Sequence, residues 1–283
     1  DPIAYWNEQA GPKWVAKQEM LDAQLALLGE CGLDAAALSE GERVLDVGCG
    51  CGASTLELVQ RVGSSGEVVG IDVSKVMLAR ARERARVRRL ENIHFQCADA
   101  QVFAFDSGHF DALTSRFGVM FFSDPGAAFA NLLQALRPGG RLAFVCWQPL
   151  AANPWMHVPM AAAGSVVPLP PRPPPDAPGP FSFGDPERVD RILREALFDH
   201  VTIDALETTL SIGGETDLDQ AVDFVLDLGP TAALLREVDE TTRSRARSAV
   251  REALSPYQRG DDRLGSRVEM PCAVWLVRAR RAV

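Results

Sequence analysis

Three acidic residues, each at the end of an apolar run, set the chemistry this chain could do. The first closes "RVLDV" and opens "DVGCGCG", so Asp46 is followed by Gly48, Gly50 and Gly52 in a D-x-G-x-G-x-G pattern. Glycines at that spacing let a ligand touch the backbone, because a Cβ would hold it off. The dinucleotide fingerprint G-x-G-x-x-G carries no acid two residues ahead of its first glycine. A pyrophosphate is repelled by such a carboxylate, whereas a ligand bearing an ammonium group can use it. Asp72 ends "EVVGID", 20 residues after Gly52, where an acid suits two ribose hydroxyls. Asp99, in "CADA", can accept from an exocyclic amine. The three acids match one ligand: ammonium at Asp46, ribose at Asp72, adenine amine at Asp99. Cys49 and Cys51 alternate with the glycines, but no set of cysteines has the spacing of a zinc site, and no metal is expected.

Those acids need strands that end side by side. Apolar runs alternate with helical patterns: strands over 43–49, 67–73, 93–98, 110–116 and 141–149, with helices over 54–62, 75–89 and from Asp124 to a Pro-Gly-Gly stop. Pro125 suits the first helical position. Strand–helix alternation with near-continuous apolar strands predicts an α/β fold, a parallel sheet covered on both faces. Residues 150–184 are rich in proline and glycine and read as a loop. Trp155, Met156, Phe181 and Phe183 make it a semi-rigid cover packed on the domain rather than a solvated linker. A helix over 185–198, a strand over 200–212, helices over 217–229 and about 231–255, and a strand over 267–281 complete the reading.

The 283-residue length and 47% hydrophobic content suit one elaborated domain. A net charge of −9 disfavours a dedicated nucleic-acid binder. The basic run from Arg80 to Arg89 has helical spacing and reads as a solvated helix face. Six scattered cysteines suit reduced thiols and a cytoplasmic location. No apolar run is long enough to span a bilayer.

The stretch from Arg43 to about Trp147 resembles a class I S-adenosylmethionine-dependent methyltransferase, and more loosely the quinone-biosynthesis-like small-molecule group. "VLDVGCGCG", "VVGIDVS..ML", "CADA", "FDALTSRFGVMFFSDP" and "ALRPGGRLAF" carry the resemblance, in this order. It implies a doubly wound, seven-stranded, mostly parallel Rossmann-like sheet whose last strand runs antiparallel; residues 200–212 and 267–281 fit the last two strands, and this chain departs from the short version of the family by inserting about 50 residues between them. It implies S-adenosyl-L-methionine as cofactor. Gly48, Cys49, Gly50 and Gly52 would form the floor under the methionine part. Asp72 would hold the ribose, Val73 and Met77 would flank the adenine, and Asp99 with Ala100 would hold its amine. Ser115 and Arg116 would border the reactive end.

Methyl transfer from a sulfonium needs mainly an aligned nucleophile and exclusion of water, so no strong catalytic motif is required. The expected organisation is an N-terminal helical cover (1–40), a cofactor-binding core (41–149), a Pro-rich substrate cover (150–184) and a C-terminal part (185–283) with a helical insertion at 214–262. The expected pocket wall is apolar: Trp6, Trp14, Phe117 and Met120, then Trp147, Trp155, Met156 and Phe183. His157 is the best-placed base; Tyr5 and Arg116 are weaker options. The expected function is methyl transfer to oxygen or carbon of a small, largely apolar or aromatic metabolite. An RNA or protein methyltransferase is the alternative, and a non-catalytic cofactor-binding protein a third reading. No nucleic-acid partner is expected, and a homodimer is allowed.

Overall fold

A computed structural model describes residues 2–171, 174, 176–260 and 266–283. Residues 172, 173 and 175 of the expected Pro-rich cover, and 261 and 262 of the expected insertion, lie outside the described residues.

The strands are β1 (Arg43–Val47), β2 (Glu67–Asp72), β3 (Ile93–Cys97), β4 (Phe110–Arg116), β5 (Leu136–Trp147), β6 (Phe198–Ser211), the two-residue β7 (Gln258–Arg259) and β8 (Arg267–Arg281). They pair in the order β3-β2-β1-β4-β5-β8-β6, with β7 on β8 outside that path. The first five run parallel to one another. β8 is antiparallel to both β5 and β6, so the mostly parallel, doubly wound sheet holds. Strand order reverses beside β1, which leaves a crevice beyond its carboxyl end next to the tips of β2 and β4.

Alternation along a strand sends successive side chains to opposite faces. Val44 and Ala112 join one apolar cluster with Leu56, Val59 and Val68, whereas their neighbours Leu45 and Leu113 join the other. At the centre of the larger cluster Phe129 meets Phe144, Phe183 and Phe198, with ring centroids 5.7–6.3 Å apart.

Three boundaries differ from the sequence expectation. The Pro-Gly-Gly stop after helix Pro125–Ala135 lies inside β5, where Phe110 pairs with Leu136 but Ala112 with Arg141; Gly139, at φ +73°, takes up that bulge. Residues 150–184 are more than a loop: Pro154 opens helix Pro154–Gly164, which packs on the C-terminal helices despite Pro159 inside it. The single long helix expected from 231 is two, Gly229–Leu234 and Glu240–Leu254. Asp239 accepts from Thr242 N and so caps the start of the second helix.

Truncating Phe129 removes the ring shared by four others, Phe122 among them, in a fully buried site. Phe129→Ala is expected to lower the unfolding free energy by about 3–5 kcal/mol, measured by urea denaturation.

Candidate cofactor and substrate site

The turn after β1 is fixed from beneath. Gly48 N and Cys49 N both donate to Ile71 O of β2, at 2.9 and 3.2 Å. Asp46 is fully buried, and its Oδ2 accepts from Ser54 Oγ and Thr55 Oγ1, each at 2.7 Å. Both hydroxyls lie in the first turn of helix Ala53–Val62. Burial raises the Asp46 carboxyl above its ordinary range, opposed by those hydrogen bonds. The ammonium contact expected of Asp46 therefore does not fit: the carboxylate sits behind the turn, away from the cavity wall, and is already used.

Gly48 and Gly50 do reach the cavity. Both have positive φ, +68° and +53°, and a Cβ on Gly48 would lie 2.7 Å from the Gly118 Cα. Gly52 is off the wall. It adopts φ +81° at the helix start, and a Cβ there would sit 3.0 Å from Ala81, so its smallness serves helix packing. Cys49 and Cys51 are nearly buried. Burial pushes the Cys49 thiol well above its usual range and the Cys51 thiol up to about 12, so neither is set to ionise as a metal ligand. Among the described residues no group of three or more His, Cys, Asp or Glu could hold a metal ion.

Asp72 lies on the wall at the tip of β2. Its two oxygens accept from Gly50 N and Ser74 N, each at 2.8 Å, and each oxygen keeps a further lone pair for a hydroxyl. Val73, Met77, Asp99 and Ala100 line the same cavity. Sequence reasoning missed Gln101, whose amide donates to both Asp99 oxygens at 3.1 Å and whose Oε1 accepts from Ser123 and Asp124 N. It missed Asn7 too: Nδ2 donates to Val73 O at 3.0 Å, and Oδ1 accepts from Lys75 N at 2.9 Å. Ser74 Oγ donates to Trp6 O at 2.9 Å. The N-terminal segment is thus sewn to the loop after β2. A two-residue motif such as "WN" carries no signal for that.

Arg116, at the tip of β4, also lines the cavity, but Ser115 does not. Ser115 Oγ donates to Val47 O and accepts from Gly118 N, at 2.7 and 3.2 Å, joining the two strand-end turns. Burial lowers Arg116 from its ordinary range, opposed first by Asp22. Asp22 and Gln18, a helical turn apart on helix Gln18–Ala35, reach the same wall. Their signal was polar residues on the apolar stripe of Leu21, Leu25 and Leu28.

The cavity has a volume of about 1280 Å³. Trp6, Trp14, Met120, Trp147, Trp155 and Met156 wall it as expected. Phe117 does so from a strained position: φ is +60°, costly for a bulky residue. Its ring stacks on Trp147 at 4.1 Å and 8°. Phe183 is not on the wall; it is buried among Phe129 and Phe144. Phe181, Met160, Phe224 and Leu234 complete the apolar lining. Tyr5 reaches the cavity with its ring against Trp6 and under Arg236. His157 lines it as well, from an exposed position.

The sheet order, the glycine turn and the acids at adjacent strand tips are those of a class I methyltransferase fold. Residues 44–140 match the family described as "Methyltransferase domain". Aklanonic acid methyltransferase of Streptomyces sp. (strain C5) is 41% identical over 104 residues, 37% of this chain and 47% of that protein. The ubiquinone/menaquinone biosynthesis C-methyltransferase of Idiomarina loihiensis is 36% identical over 111 residues, 39% of this chain and 44% of that protein. The chain thus spans about half the length of the curated relatives it matches. A solved geranyl diphosphate C-methyltransferase of Streptomyces coelicolor A3(2) shares the fold, with TM-score 0.52 and 16% identity over 91% of this chain and 80% of that one.

Asp46→Ala leaves two buried hydroxyls without their acceptor and is expected to cost about 2–4 kcal/mol of stability. Thr55→Val should cost about 1 kcal/mol. Paired urea titrations check the order.

Proposed function

We propose that the chain is an S-adenosylmethionine-dependent methyltransferase that transfers a methyl group to oxygen or carbon of a small, largely apolar or aromatic metabolite. The observation that carries this reading is one cavity lined by two chemically different sets of groups: glycine backbone and carboxylates at the strand tips, and tryptophans, phenylalanines and methionines. The residues fit the cofactor. Gly48 and Gly50 form a floor whose left-handed backbone leaves no room for a Cβ, Asp72 keeps free lone pairs for ribose hydroxyls, and Asp99, oriented by Gln101, lines the same cavity as Val73 and Met77.

When bound, the cofactor supplies an electrophilic methyl on an already activated leaving group. The protein then has to orient the acceptor and exclude water. Trp6, Trp14 and the 150–184 cover take the second task. Phe117 and Trp147 offer a flat apolar surface to a planar acceptor. Trp155 Nε1 is buried without a hydrogen-bond partner among the described residues. An oxygen on the substrate would satisfy that indole N–H, as a buried donor requires. His157 lines this wall and is the base proposed for a hydroxyl acceptor.

An RNA or protein substrate is less well supported. The basic helix Lys75–Val87 spends its arginines on the protein itself: Arg84 binds Asp22 and Cys51 O, Arg82 binds Phe95 O, and Arg86 pairs with Glu83. Among the described residues no helix is long and apolar enough to cross a membrane. All six cysteines are free, which supports a cytoplasmic setting.

Calorimetry with S-adenosylhomocysteine and the methyl donor tests the reading; absence of binding to both would overturn it. Asp72→Ala is expected to weaken binding by about 1.5–3 kcal/mol, roughly 10- to 100-fold in Kd. Turnover with oxygenated aromatic acceptors would exclude a purely binding role.

A further inference from the structure

With Asp46 withdrawn behind the glycine turn, the cavity still holds an unassigned pair of opposite charges. Helix Gln18–Ala35 presents Asp22, whose Oδ2 accepts from Arg84 Nη2 at 2.7 Å and Gln18 Nε2 at 2.5 Å. Arg84 Nη1 also donates to Cys51 O at 2.7 Å, so this carboxylate is anchored to the glycine turn itself. The other oxygen, Oδ1, has Arg116 Nη2 opposite it at 4.0 Å, too far for a hydrogen bond. The Arg116 side chain is 17% exposed and makes no hydrogen bond among the described residues. Gly29 explains where it lies: a Cβ at that position would be 3.3 Å from both Arg116 Cδ and Nη1, so the guanidinium runs along the helix rather than out to solvent.

A largely buried guanidinium with its donors unused is costly, and a carboxylate with one oxygen engaged and one open beside it is half satisfied. Side by side, they complement a zwitterion. A ligand carboxylate would accept from Arg116, and a ligand ammonium would donate to Asp22 Oδ1, so that the zwitterion bridges the pair through charge-assisted hydrogen bonds. We propose that Asp22 and Arg116 bind the amino-acid end of the cofactor, with Arg84 and Gln18 as positioning residues that hold Asp22 against the glycine turn. The inference rests on the cofactor reading above and moves the ammonium acceptor from the tip of β1 to the N-terminal helix. It also takes Arg116 out of the role of base.

Calorimetry on the full chain with three probes tests it: S-adenosylhomocysteine, methylthioadenosine, which lacks the amino-acid end, and decarboxylated S-adenosylmethionine, which keeps the ammonium alone. Wild-type protein should bind S-adenosylhomocysteine at least about 30-fold more tightly than methylthioadenosine. Arg116→Met and Asp22→Asn should each lower the affinity for S-adenosylhomocysteine by about tenfold or more, with methylthioadenosine unchanged within about twofold. Arg116→Met should leave decarboxylated S-adenosylmethionine unaffected, and Asp22→Asn should weaken it. Gly29→Ala crowds Arg116 without altering a charge and should reproduce the Arg116 pattern, which guards against a variant that fails to fold. Equal losses for S-adenosylhomocysteine and methylthioadenosine would mark the pair as structural and overturn the proposal, as would an unchanged affinity for S-adenosylhomocysteine. If wild-type protein binds none of the probes, the cofactor reading itself falls.

Discussion

One buried carboxylate holds the arrangement on which everything else rests. Asp46 ends β1, and the hydroxyls of Ser54 and Thr55 return to it from the first turn of the following helix. A strand, a turn with three left-handed glycines and a helix are thereby closed into a small ring. A buried charge is expensive, and two short hydroxyl donors are what makes this one tolerable. With the ring closed, Gly48 and Gly50 turn their backbones outward, and the turn stays open for a ligand. The acid usually read as a ligand contact is, in this chain, a structural member under the contact surface.

Around that ring the cavity is assembled from distant parts of the sequence. β2 and β3 bring Asp72 and Asp99, β4 brings Arg116 and Phe117, and β5 brings Trp147. The segment following β5 adds Trp155, and the helices inserted between β6 and β8 add Phe224 and Leu234. The strained backbone of Phe117 is held by the stack on Trp147 and by its N–H on Val145 O. Strain of this kind persists where the surroundings overdetermine it, and here those surroundings are the neighbouring ends of β4 and β5.

The sheet and its crevice were legible in the sequence because apolar strands, glycine turns and helix caps are local signals. "DVGCGCG", "GID" and Asp124-Pro125 each announce a boundary within a few residues. What was not legible depends on which way a side chain points in three dimensions. The distinction between Asp46 and Asp72 is of this sort. Both end strands, yet one is enclosed by the helix it precedes and the other faces the cavity. Phe183 and Phe181, two residues apart, divide between core and wall for the same reason. Asp22, Gln101 and Asn7 escaped notice because each works through a partner remote in the chain. The bulge at Gly139 and the break before Asp239 turn on competing local preferences that the sheet and a helix cap decide.

The ties at the N-terminus have a consequence for timing. Asn7 bridges Val73 O and Lys75 N, Trp6 O takes the Ser74 hydroxyl, and Trp6 sets its ring edge-on to Trp14 and Phe121. These contacts roof the strand-tip side of the cavity, over the place proposed for the adenosine. On that reading a ligand cannot leave by the route on which the roof lies without undoing several hydrogen bonds and an aromatic cluster together. Residence time is then a property of residues 6–14 rather than of the sheet. The chain's clock would sit in the N-terminal segment, in the π-helical turn Tyr5–Gln9.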